Sequence, residues 1–316
     1  MKKLLLTATL LSCAFGFAQH GLDKDVANIE DKVIEWRRDF HQNPELSNRE
    51  FKTAEKIAAH LKSLGMEVQT GIAHTGVVGI LKGKKPGKVL ALRADIDGLP
   101  VPERADLPFK STAKGEFNGA EVPVMHACGH DTHIAILMGV AEIMSKNTDK
   151  IKGTIKFIFQ PAEEGAPEGE EGGAKMMIKE GVLKNPDVDA IFGLHIGSGQ
   201  PVNTIAYKSG GIMAAAQRFE INVKGKQTHG STPWTGIDPI MASVKIIDGL
   251  QTLISRESAL TNEAVVISVG KITSGVRNNI IPETAQIVGT IRTLDYDMQK
   301  HINDRMKEMV PAIAKA

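Results

Sequence analysis

Between residues 76 and 196, short apolar runs suited to buried strands alternate with segments whose apolar residues recur every three or four positions. No other feature constrains the fold as strongly. Residues 76–82 and 88–95 are β-rich runs separated by the turn sequence GKKPG. Residues 130–145 predict a helix, 153–160 a buried strand, 173–183 a helix and 189–196 a strand. Upstream, Ile29, Val33, Trp36 and Phe40 mark an amphipathic helix over 24–42. A second runs over 49–64 through Phe51, Ile57 and Leu61, with Gly65 where a C-terminal cap belongs. Helices alternating with apolar strands predict an α/β layer built on a mostly parallel central sheet flanked by helices.

After Gly211 the texture changes. Residues 217–224 alternate Phe219, Ile221 and Val223, as a half-buried strand does; 238–255 read as helix, 264–270 and 285–294 as strands, 297–314 as helix. This order predicts a small α+β domain of ferredoxin-like type, with helices on one face of an antiparallel sheet. The expected organisation is therefore a larger α/β domain over 19–211 and a smaller domain over 212–316, preceded by a targeting segment. Residues 1–18 have a basic start at Lys2 and Lys3, an apolar stretch from Leu4 to Leu11 and a small-x-small site at Gly16-Phe17-Ala18. Export with cleavage after Ala18 is expected, with lipid attachment at Cys13 as the alternative. That stretch falls short of the about 20 residues a spanning helix needs, and no later segment is apolar enough to span.

Composition excludes other classes. The formal net charge of +1 and 4% aromatic content leave neither a broad basic face nor stacking platforms for nucleic acid. The two cysteines cannot build a disulfide scaffold.

Three short segments carry chemistry. Cys128-Gly129-His130 brings a thiol and an imidazole two positions apart, a spacing that can converge on one cation from an extended loop. Alone it also fits a buried cysteine beside surface histidines. Glu163-Glu164 follows the 153–160 strand, where ligands of open α/β sheets collect, although an acidic loop there can equally be solvated. His195 closes another strand. Together, Cys128, His130, Glu163, Glu164 and His195 fall at element ends of one predicted layer, which favours a shared site.

The motifs RRDFHQNPEL (37–46), LRADIDGLP (92–100), MHACGHD (125–131), QPAEEG (160–165), GLH (193–195), KGKQTH (224–229), NIIP (279–282) and GTIRT (289–293) occur in one order across nearly the whole chain. In this they resemble peptidase family M20, and within it the amidohydrolase branch that includes hippurate and N-acyl-amino-acid hydrolases. The resemblance implies two divalent metal ions (zinc, manganese or cobalt) held by Cys128, His130, Glu164 and His195, with Glu163 as general base toward a metal-activated water. Asp95 and Asp97 would support the ligands. His229 would reach the neighbouring subunit's site in a homodimer and stabilise the developing oxyanion, while Asn279 and Arg292 would grip the substrate. The implied small domain is a lid and dimerisation domain inserted into the catalytic one, and the implied substrate is an N-acyl amino acid.

This chemistry is self-consistent, since a metal lowers the pKa of its water, a carboxylate moves the proton and a cationic donor steadies the oxyanion. Serine-hydrolase and dinucleotide chemistries lack their G-x-S-x-G and G-x-G-x-x-G signatures. Two alternatives remain: a dipeptidase or carboxypeptidase of the same family, and a non-catalytic metal-binding or dimerising homologue. The second rests on one departure. The family draws a last ligand histidine from a C-terminal return segment, and His301 does not fit that role, so the sequence is expected to be a fragment of a longer hydrolase.

Overall fold

The computed structural model describes residues 22–316; the expected targeting segment and Cys13 lie outside the described residues. The chain divides into two units between Gln200 and Pro201, upstream of the change in texture read at Gly211. The reason is packing. The irregular stretch after Pro201 already belongs to the second unit, where Lys208 pairs with Glu263 at 3.6 Å and Gly211 abuts Leu294.

The first unit begins with helices α1 (Glu30–Gln42) and α2 (Phe51–Ser63), then strands β1 (Glu67–Ile72), β2 (Gly76–Lys82) and β3 (Lys85–Asp95). A small hairpin, β4 (Lys114–Phe117) and β5 (Ala120–Pro123), leads into α3 (His130–Lys146), β6 (Lys152–Gln160), α4 (Gly173–Lys179) and β7 (Ala190–Gly193). The sheet order is β1-β2-β6-β3-β7. Strands β6, β3 and β7 run parallel; β2 pairs antiparallel with β6, and β1, antiparallel to β2, closes the edge in the direction of the parallel strands. The GKKPG turn thus joins two strands that β6 separates.

Alternation along β6 explains the burial. Ile155, Phe157 and Phe159 face a core with Ile57 and Leu61 of α2 and Ile134 of α3, while Ile158 faces a second core with Ala91 and Met177. Each face is covered by helix, as a parallel sheet requires.

In the second unit, β10 (Val265–Ser274), β12 (Thr284–Thr293) and β8 (Ala215–Lys224) form an antiparallel sheet. Helices α5 (Pro239–Thr252) and α6 (Tyr296–Lys315) pack on it through Ile246, Leu250, Ile302 and Met306. Asp238 and Asp295 cap these helices by accepting peptide N–H groups of their first turns. A two-residue ladder joins β9 (Thr228–His229) to β11 (Ile280–Ile281). No helix among the described residues is long and apolar enough to cross a membrane.

Candidate metal centre

Parallel pairing sets the site. Asp95 at the end of β3 lies in register with Gln160 at the end of β6, and Arg93 with Gly193 at the end of β7. The three carboxyl ends therefore open on one edge, delivering Asp95 and Asp97, Glu163 and Glu164, and His195 to the same place. The N-terminus of α3 brings His130 to that edge. Gly129 makes the approach possible: its φ is +92°, and a Cβ there would stand 2.3 Å from Ile196 Cγ2.

His130 is the hub. Its ring is fully buried, and Nδ1 faces the Asp97 carbonyl at 2.8 Å. Among the described residues Nε2 has no hydrogen-bond partner, but it lies 3.7 Å from Glu163, 3.8 Å from Glu164 and 3.7 Å from Asp95. Nearby, Cys128 Sγ lies 3.4 Å from His195 Nε2, while His195 Nδ1 meets the Ile196 carbonyl at 2.6 Å. Both ligand-candidate histidines thus turn Nδ1 to a carbonyl and leave Nε2 as the nitrogen that a metal would take.

Electrostatics agree with a cation site. Burial, then the carboxylates of Glu164, Glu163 and Asp95, push the Cys128 thiol up to about 12. Burial and the neighbouring Asp95 charge also raise Glu163. Burial works against charge on His130, yet the Asp97 hydrogen bond and the Asp95 and Glu163 charges outweigh it and raise the imidazole to about 9. So much negative charge around a thiol and an orphaned imidazole nitrogen is the donor set of a divalent first-row metal. Cys128, His130 and His195 form one group whose ligand atoms lie within 4.8 Å of one another, and His130, Glu163 and Glu164 form a second. The residues fit the group.

Sequence reasoning missed His133, although its spacing three residues after His130 on α3 was visible. Its Nδ1 meets Asp95 Oδ1 at 2.6 Å, and its Nε2 accepts the Ile196 peptide N–H at 2.9 Å. It therefore ties the end of β3 to the loop that carries His195. Missed also was Arg93, which donates to Asp95 Oδ2 at 2.7 Å and Gln160 Oε1 at 2.9 Å. Asp95 sits below its ordinary value, at about 2, because His133, His130 and Arg93 together outweigh its burial.

In the second unit, His229 and Asn279 share a corner. His229 is in register with Ile280, the Gly230 N–H donates to the Asn279 carbonyl at 2.8 Å, and His229 Nδ1 meets Ser231 Oγ at 2.7 Å. Arg292 is exposed near the other end of β12, about 26 Å along the strand from Thr284.

Fold and site together define a metal-dependent hydrolase of the α/β class. The sequence profile of peptidase family M20/M25/M40 matches residues 91–304. The chain belongs to this family, whose members hydrolyse amide bonds. It is 46% identical over 293 residues to thermostable carboxypeptidase 2 of Saccharolobus solfataricus, covering 92% of this chain and 71% of that one. It is 40% identical over 284 residues to N-acetylcysteine deacetylase of Bacillus subtilis, covering 90% and 70%. The crystal structure of a dinuclear metal-binding peptidase from the M20 family of Bacillus subtilis superposes with a TM-score of 0.74 at 37% identity, over 92% of this chain and 71% of that one.

Proposed function

We propose that this protein hydrolyses the amide bond of N-acyl amino acids, with Cys128, His130, Glu164 and His195 as metal ligands and Glu163 as general base. The observation that carries this reading is the buried, unpartnered His130 Nε2 facing Glu163 and Glu164 beside the Cys128–His195 pair. Bound there, divalent metal supplies the Lewis acidity that makes water nucleophilic at neutral pH. Glu163 accepts the proton from the attacking water and returns it to the departing amine, which a partly buried carboxylate of raised pKa does well. His229, with Nδ1 occupied by Ser231, keeps Nε2 for the developing oxyanion, and Asn279 beside it serves as a second polar contact. Arg292 would hold a free carboxylate, though on one protomer it lies too far from that corner to share a small substrate with it.

Dimerisation would let His229 serve a neighbouring site. An exposed apolar stripe, Ile237 just ahead of α5 and Ile240, Met241 and Val244 on its first turns, supports a subunit contact there.

A second reading has its own support, because the carboxypeptidase relative is more similar than the deacetylase one. The test is hydrolysis of N-acetyl and N-benzoyl amino acids against peptides with free C-termini, after loading with Zn²⁺, Mn²⁺ or Co²⁺. Preference for the N-acyl amino acids is expected, and faster turnover of the peptides would move the assignment to a carboxypeptidase. Glu163→Gln should lower kcat by about 10²–10⁴-fold with metal content unchanged; normal turnover in that variant sinks the general-base role.

A further inference from the structure

The carboxylate pair sits on a loop, residues 161–172, that contains no helix or strand. Proton transfer nonetheless needs Glu163 held to within about 0.5 Å of its productive position. Three of the residues 47–50 bond to this loop directly, and the fourth reaches it through Asp97. Glu50, fully buried, accepts the Ala162 peptide N–H on Oε1 at 2.9 Å and the Thr75 hydroxyl on Oε2 at 2.6 Å. Ser47 donates to Asp97 Oδ2 at 2.7 Å, the oxygen that also accepts the Glu164 peptide N–H at 3.0 Å. Asn48 donates to the Glu171 carbonyl at 3.1 Å and to Glu170 Oε2 at 3.0 Å. Arg49 forks onto Glu170 at 2.5 and 3.1 Å.

Two details separate this from ordinary helix capping. Glu50 occupies the N-cap of α2 yet makes no cap bond with its side chain. Glu45 takes that task instead, accepting the N–H groups of Lys52 and Thr53 at 3.2 and 2.8 Å. The Glu50 carboxyl is thus turned away from its own helix and spent on Ala162. Ala162 needs the hold, since its φ of 47° is a left-handed conformation that residues with a Cβ rarely adopt. Its carbonyl is backed by Gly173, where a Cβ would come within 2.8 Å.

We infer that the 47–50 turn is the frame that aims the Glu163–Glu164 pair, and that Glu50 is a positioning residue acting through the Ala162 peptide. This rests on the reading of Glu163 as general base and goes beyond it, because Glu50 contacts neither the candidate ligands nor a reacting atom.

The experiment uses the protein loaded with Co²⁺, reading Co²⁺ affinity by visible absorbance and hydrolysis of an N-acetyl amino acid. Glu50→Ala should lower kcat about 10–100-fold with KM within about twofold, and weaken Co²⁺ binding about 10-fold through the displaced Glu164. Glu50→Gln, whose amide oxygen still accepts the Ala162 N–H, should restore kcat to within about threefold of the parent. Asn48→Gly keeps the left-handed backbone and removes both loop contacts, so it should speed proteolytic cleavage within 163–171 even if Glu50→Ala does not fold. A folded Glu50→Ala protein with unchanged kcat and Co²⁺ affinity overturns the inference. So does a Gln variant as damaged as the Ala variant, or an Asn48→Gly loop cut no faster than the parent. Glu163→Gln measured alongside separates the two readings. Normal turnover there removes the general base, whereas loss of turnover there with an intact Glu50→Ala protein removes only the frame.

Discussion

Glu50→Gln also carries a stability prediction whose sign and size follow from burial. Desolvation raises the Glu50 carboxyl from its ordinary 4.5 to about 7, against the lowering effects of the Thr75 and Ala162 hydrogen bonds. Between those values the folded chain holds a proton that the unfolded chain has released. Stability therefore falls as pH rises through that window, and the loss is complete above it. At about 1.4 kcal/mol for each tenfold change in proton affinity, the full loss is about 3 kcal/mol. Glutamine imitates the protonated acid at every pH. Its oxygen accepts from Ala162, and the Thr75 hydroxyl, which donates to the Glu50 carboxylate, turns to accept from its NH₂ as it would from the protonated acid. The variant and the parent should thus match near pH 4.5 and diverge toward pH 8. There the variant's first-unit transition lies higher by up to about 3 kcal/mol, or about 6–12 °C for a unit of this size. Differential scanning calorimetry of both proteins at pH 4.5, 6 and 8 measures this. A Tm difference independent of pH, or one of opposite sign at pH 8, refutes the argument that burial keeps Glu50 protonated.

Three further outcomes follow from the same structure. Lys156, buried in β6, donates to the carbonyls of Val182, Lys184 and Pro186 at 3.1, 2.7 and 3.1 Å, so Lys156→Met leaves three acceptors unmet. It should cost about 2–4 kcal/mol in urea denaturation and leave Co²⁺ binding intact. Cation binding should relieve the carboxylate repulsion around His130. A metal at about 100 times its Kd adds about 2.7 kcal/mol to stability, visible as a higher Tm that chelation with EDTA reverses. Cys128→Ser should in addition abolish the thiolate-to-Co²⁺ charge-transfer absorbance, and its persistence would remove Cys128 from the ligand set.

How much of this was legible in the sequence depended on the reach of each interaction. Strand β6 was legible because both its faces are buried and its apolar run is nearly continuous. Strand β1 was not, since as an edge strand it is mostly exposed and carries no apolar pattern. The strand read to residue 196 ends at Gly193, because β7 pairs only with β3 over four positions. Beyond it, the Ile196 N–H goes to His133 and its carbonyl to His195, which leaves neither group for a ladder.

The same distinction runs through the site. Cys128 and His130, or Glu163 and Glu164, announce themselves by spacing within a few residues, because one cation must gather donors that local backbone can deliver together. The groups that aim those donors answer to a different demand. They must satisfy a particular peptide N–H or oxygen, and the fold can supply that partner from anywhere. Glu50 finds Ala162 at a separation of 112 residues, and His133 finds Ile196 at 63. A buried glutamate therefore looks, in sequence, like a polar residue at the exposed start of a helix. Only its turn away from the α2 N-cap, with Glu45 capping in its place, distinguishes it. A glutamate at an N-cap whose capping role another acid already fills, as Glu45 does here, is the case in which long-range use of the side chain should be expected.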